Sequence, residues 1–120
     1  MLARMRIFKE AAFEAAHRLP HVPPGHRCHN LHGHNYRVRI ECDGPLDPKL
    51  GWVCDFADVD AAMAPILRQV DHKYLNEVPG LENPTSEVIA QWILERLRTS
   101  AIPIASVTVW ENEACGAIAR

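Results

Sequence analysis

His32-Gly33-His34 is the spacing in this chain that most directly implies chemistry. On a strand, residues i and i+2 project from one face with their Cα atoms roughly 6.5 Å apart. Two imidazoles so placed can converge on one metal ion at roughly 2.0–2.1 Å each. Gly33 between them adds no side chain and tolerates a close backbone neighbour. His17, at the end of an earlier strand-like run, can supply a third nitrogen. Three histidines with no fourth protein ligand leave one position open, which is the arrangement of catalytic rather than structural zinc. The alternative is a pair of surface or hydrogen-bonded strand histidines. A third histidine, a cysteine and an Asp-His pair in the same short chain favour the metal.

Cys28 lies just ahead of the ligand strand, next to Arg27. A thiol near a cation gains thiolate character and then serves as base or nucleophile, whereas a cysteine alone is more often a small buried hydrophobe. Cys42, Cys54 and Cys115 fall in apolar stretches and read as the second kind. In Asp71-His72 a carboxylate adjoins an imidazole, as a proton relay requires, although a solvated helix end reads the same way. Glu111 finishes an apolar strand face of Ala105, Val107 and Val109, so it is either exposed at the sheet edge or bonded to something specific. An aminopyrimidinone ring, with adjacent N–H donors, is a partner it could hold bidentately. Arg18, Arg27 and Lys73 lie close in sequence to these residues and offer a local anion patch.

These side chains need elements to position them. Residues 5–17 alternate, with Met5, Ile7, Ala11, Phe13, Ala15 and His17 on one face. Residues 18–31 hold three prolines and one glycine and read as a long loop, a feature that is usually functional or disordered. The next strand sets His32, His34, Tyr36, Val38, Ile40 and Cys42 on one face against an almost wholly polar one. A short third strand is expected around 51–54. Asp55 can cap a helix over 56–70, whose Phe56, Val59, Met63, Ile66, Leu67 and Val70 form one stripe. Pro65 should kink or split that helix. Asn83-Pro84 reads as a cap and first helical position opening a second helix to about residue 98. Residues 104–111 and 114–119 read as a hairpin. The order ββ(β)ααββ is that of an α+β domain, an antiparallel sheet with its helices on one face, and residues 1–120 read as a single domain.

Composition narrows the function. Of 120 residues, 48% are hydrophobic and 23% charged, which suits a folded globular domain. A net charge of −2 provides no global field for nucleic acid or an anionic membrane, so an anionic substrate must be met locally. The first nine residues have no apolar core of a secretory signal, and four cysteines in neither a CxxC nor a disulfide-dense pattern suit free thiols in a reducing cytoplasm. A zinc protease would need an HExxH helix, which this sequence lacks. A non-catalytic zinc module would need a fourth ligand, for which Cys28 is the nearby candidate.

Taken together, Phe13-Glu-Ala-Ala-His17-Arg-Leu, Cys28-x-x-x-His32-Gly-His34, Asp55-Phe56, Asp71-His72-x-x-Leu75-Asn76, Pro84-Thr-Ser-Glu87 and a late strand ending at Glu111 resemble the 6-pyruvoyltetrahydropterin synthase family. The resemblance implies the tunnelling fold, in which trimers close a barrel of strands and two trimers stack as a homohexamer. It implies Zn²⁺ on His17, His32 and His34, and Cys28 as the proton-abstracting group. Asp71 and His72 would be its partner pair from a neighbouring subunit, Glu111 the anchor of the pterin ring, and Thr85 and Ser86 contacts at a helix start. Arg27 is the residue expected to meet the triphosphate. The implied substrate is 7,8-dihydroneopterin triphosphate. One branch of the family releases acetaldehyde and triphosphate and leaves a 6-carboxyl group for queuosine biosynthesis. The other releases triphosphate alone and leaves a 6-pyruvoyl group. Three residues between Cys28 and His32, rather than a longer gap, favour the first branch.

Overall fold

A computed structural model describes residues 3–120. Two long strands dominate it, β1 (Arg4–His17) and β2 (His32–Pro45), paired antiparallel along their whole length. The alternation read from sequence is the pleat itself. Phe13, Ala15 and His17 of β1 and Tyr36, Val38, Ile40 and Cys42 of β2 are buried on one face. The other face carries Glu10, Arg37 and Arg39. Arg39 Nε donates to Glu10 at 2.8 Å, and the Arg37 guanidinium lies 4.0 Å over the Trp110 ring.

Helix α1 (Phe56–Val70) starts at Asp55, whose carboxylate accepts the Ala57 amide at 2.9 Å. Pro65 does not split it. The buried stripe Val59, Met63, Ile66 and Val70 spans the proline, and packing on both sides of it holds the turn that lacks one hydrogen bond. Residues 52–54 form bends, and the third strand expected around 51–54 is absent there. The third strand is instead β3 (Lys73–Tyr74), two residues long and parallel to β1 at Ala15 and Ala16. No alternation can announce a strand that short.

Helix α2 (Ser86–Leu97) begins later than Asn83-Pro84 suggests. Its cap is Thr85, whose hydroxyl accepts the Val88 amide at 3.1 Å. Both helices share one core with the sheet's buried face, α1 against β1 and α2 against β4 and β5. β4 (Ile104–Trp110) and β5 (Gly116–Ala119) complete a five-stranded sheet ordered β3-β1-β2-β4-β5. Gly116 is required there, because a Cβ on it would stand 2.1 Å from the Val109 carbonyl oxygen. Burying a sheet face and two helix stripes together supplies the apolar area that holds the strand ends, and their imidazoles, in place. Among the described residues, no helix is long and apolar enough to cross a membrane.

Candidate active site

The β1–β2 register makes His17 and His32 direct cross-strand partners, with His34 two residues further along the same face opposite Ala15. One nitrogen from each of the three rings lies within 4.8 Å of the others. His17 is buried; His32 and His34 are half-buried.

The hydrogen bonds behind the rings settle which nitrogens face inward. His17 Nδ1 lies 2.8 Å from the Pro84 carbonyl oxygen, and His32 Nδ1 lies 2.7 Å from that of Asn30. A carbonyl only accepts, so each neutral ring carries its proton on Nδ1 and presents a bare Nε2. Those two Nε2 atoms are 3.0 Å apart. Burial lowers the pKa of His17 and of His34, favouring the neutral form that metal binding needs. A tetrahedral ion with bonds of roughly 2.0–2.1 Å holds its ligand nitrogens roughly 3.3 Å apart, so the donor set fits a metal ion.

Cys28 sits on a single 3-10 turn, Arg27–His29, at the end of the long loop. It lines a cleft of about 430 Å³ together with Arg27, His32, His34, Glu111 and Cys115. Glu111 follows the last residue of β4 rather than ending the strand, and its Oε2 stands 3.5 Å from His34 Nε2. Five residues singled out from the sequence therefore meet in one cleft. Arg18, by contrast, is committed to the loop: its Nε donates to the His29 carbonyl at 3.2 Å.

Asp71 and His72 do touch each other, Oδ1 to Nδ1 at 3.0 Å, but they stand elsewhere in the chain. They lie beside Glu14, whose amide donates to Asp71 Oδ1 at 3.1 Å and whose carboxylate is 3.3 Å from His72 Nε2. That backbone hydrogen bond is the main reason the Asp71 carboxyl titrates below its ordinary range. His72 adopts a left-handed backbone at φ 57° and lines a second cleft, of about 610 Å³, with Lys73. His34 borders both clefts. Thr85 and Ser86 follow the Pro84 carbonyl that holds His17. The Ser86 hydroxyl is buried without a hydrogen-bond partner.

Sequence reasoning passed over two contributors. The Tyr36 hydroxyl lies 3.2 Å from His17 Nδ1, and burial pushes its pKa well up. Its place two residues after His34 on the ligand face was the available signal. Cys115 is exposed, not an inert core thiol. It sits in the turn between β4 and β5, where Asn112 accepts its amide at 3.0 Å, and it lines the same cleft as Cys28.

Residues 6–120 match the 6-pyruvoyl tetrahydropterin synthase family, and the chain belongs to that family of pterin enzymes. A relative from Synechocystis sp., 6-carboxy-5,6,7,8-tetrahydropterin synthase, is 41% identical over 95% of this chain and 90% of its own. The dihydroneopterin monophosphate aldolase of Pyrococcus furiosus is 30% identical over 94% of this chain and 95% of its own. Among solved structures, the 6-pyruvoyl tetrahydropterin synthase of Caenorhabditis elegans superposes with a TM-score of 0.86 at 29% identity, covering 93% of this chain and 91% of that one.

Proposed function

We propose that this chain is a 6-carboxy-5,6,7,8-tetrahydropterin synthase. It is read as a zinc-dependent lyase that converts 7,8-dihydroneopterin triphosphate to 6-carboxy-5,6,7,8-tetrahydropterin with release of acetaldehyde and triphosphate. The observation that carries this is the cleft in which Cys28 and Glu111 stand with two of three clustered histidines, on a chain 41% identical to a protein of that name. The reaction also consumes one water. Two side-chain carbons leave as acetaldehyde, so the carbon kept on the ring needs a second oxygen to become a carboxyl.

His17, His32 and His34 hold Zn²⁺ in this reading. When bound, the ion supplies Lewis acidity toward the substrate's side-chain oxygens and so acidifies neighbouring C–H and O–H groups. Cys28 takes a proton from the side-chain carbon, and the Asp71-His72 pair relays protons to and from the departing fragment. Glu111 accepts two N–H groups of the pterin ring, and Thr85 and Ser86 contact the ring from the start of α2. Arg27, at the cleft with Cys28, meets the triphosphate.

Within one chain Cys28 and His72 occupy separate clefts, and the β1 edge from Arg4 to Glu14 has no strand partner among the described residues. Both observations support a homo-oligomer that closes its sheet edges and shares active sites, by family a hexamer of two stacked trimeric barrels. A single domain spanning residues 1–120, working in the cytoplasm with free thiols, completes the reading.

The test is product analysis with 7,8-dihydroneopterin triphosphate. Acetaldehyde and the 6-carboxyl pterin in equal amounts are expected. A 6-pyruvoyl pterin with triphosphate as the sole other product would move the chain to the other branch. Cleavage only of the dephosphorylated or monophosphate substrate would make it an aldolase.

A further inference from the structure

Cys28 has no regular element beneath it to set its height over the imidazoles, only one 3-10 turn. Contacts of two kinds hold that turn. Inside it, His26 Nδ1 accepts the Cys28 amide at 3.0 Å, and the His29 amide donates to the His26 carbonyl at 3.0 Å. From outside, the Leu19 amide donates to the Cys28 carbonyl at 2.8 Å. The Arg18 guanidinium then grips His29 twice. Nε donates to its carbonyl at 3.2 Å, and Nη2 lies 3.1 Å from its Nε2. A guanidinium only donates, so His29 Nε2 is the acceptor and the ring's proton sits on Nδ1. Arg18 is fixed in turn by Asn76, whose side chain accepts its amide at 3.0 Å and donates to its carbonyl at 2.8 Å.

We propose that Arg18 is a positioning residue that acts through His29, setting where Cys28 stands against His32 and His34. The inference rests on the reading of Cys28 as the proton acceptor. Arg18 directly follows His17, the last residue of β1, and His29 is next to Cys28, so their contact ties the thiol to the same strand end that carries His17. The grip uses two nitrogens of a planar fork, which a lysine ammonium cannot reproduce. It also explains why an arginine beside the histidine cluster is absent from the lining of the Cys28 cleft: Nε and Nη2 hold it against the loop. A misplacement near 1 Å can cost about a hundredfold in rate, so a contact of this kind is visible in turnover.

The experiment compares Arg18→Lys, His29→Ala, His29→Gln and the Arg18→Lys/His29→Ala double variant. Arg18→Lys and His29→Ala should each lose about tenfold to a hundredfold in kcat, with KM, zinc content and Tm near wild type. His29→Gln, which keeps an acceptor for Nη2, should recover part of the loss. The double variant should be no worse than Arg18→Lys alone. Full kcat in either single variant, losses that multiply in the double, or a KM rise with kcat intact would each overturn the proposal. A second reading needs no turnover. Hydrogen exchange at the Leu19 amide, which donates to Cys28, should quicken in both single variants, and unchanged exchange overturns the clasp whatever the activity. Cys28→Ala separates the two readings. Normal turnover in that variant removes Cys28 as the base, while the exchange measurement still judges the clasp.

Discussion

His17 and His32 face one another across the end rung of the β1–β2 ladder with their Nε2 atoms 3.0 Å apart and both Nδ1 atoms directed at main-chain carbonyls. Each neutral ring has one proton, and each proton is already engaged. With both rings neutral the short contact is a meeting of two lone pairs, which a shared cation relieves.

Zinc content follows from that pair. Purified wild-type protein should hold one zinc per chain, and His32→Ala should lose nearly all of it. Metal analysis of the two proteins side by side decides the matter. Stoichiometric zinc in His32→Ala would remove these imidazoles as the binding site.

Tyr36 should matter less, and in a graded way. Its hydroxyl lies 3.2 Å from the nitrogen of His17 that Pro84 also engages, so Tyr36→Phe leaves one of two contacts in place. Groups that orient a metal ligand typically contribute 10–100-fold in metal affinity. A fall in zinc affinity toward the lower end of that range, measured by chelator competition, is expected. An unchanged affinity would mean that the Pro84 carbonyl orients His17 alone.

Cys28 and His72 should fail in the same way but in different places. Each alanine variant should lose about 10²–10⁴-fold in turnover while retaining zinc. Because the two residues line different clefts of one chain, mixing the inactive variants under subunit exchange should restore part of the activity. No recovery despite proven exchange would place both groups in one chain's chemistry. Loss of zinc from Cys28→Ala would make that thiol a fourth ligand instead.

Gly116→Ala tests the fold rather than the chemistry. The added methyl would collide with the Val109 carbonyl at 2.1 Å, between two paired strands that cannot both yield. A loss of at least about 1–3 kcal/mol in denaturant unfolding is expected. Gly25→Ala is the control, since a Cβ there meets nothing within 4 Å. Equal stability of the two variants would contradict the close packing of β5 on β4.

The site was legible where periodicity carried it. His32 and His34 share a face because a strand alternates, and His17 joins them because its own strand ends in phase. What could not be read was anything set by long-range closure. β3 has two residues and exists because β1 offers it an edge beside Ala15. The cap at Thr85 is instead a local choice between neighbouring capping residues: its hydroxyl reaches the Val88 amide three residues on, so the helix starts after Asn83-Pro84. The partner of Arg18 is likewise set by the folded loop. Its neighbour in sequence suggested an anion patch, whereas its neighbour in space, His29, takes the guanidinium.

The loop of residues 18–31 leaves the sheet at His17 and returns to it at His32, and those two residues are cross-strand partners. Its ends are therefore clamped at about one strand spacing, roughly 5 Å, whatever its contour length. Residues gained or lost between Leu19 and Arg27 would change the loop and leave the imidazoles in register. One residue gained or lost in β2 beyond His34 would turn both histidines to the wrong face together. The three clustered imidazoles thus stand on paired strands, while Cys28 stands on the loop between them.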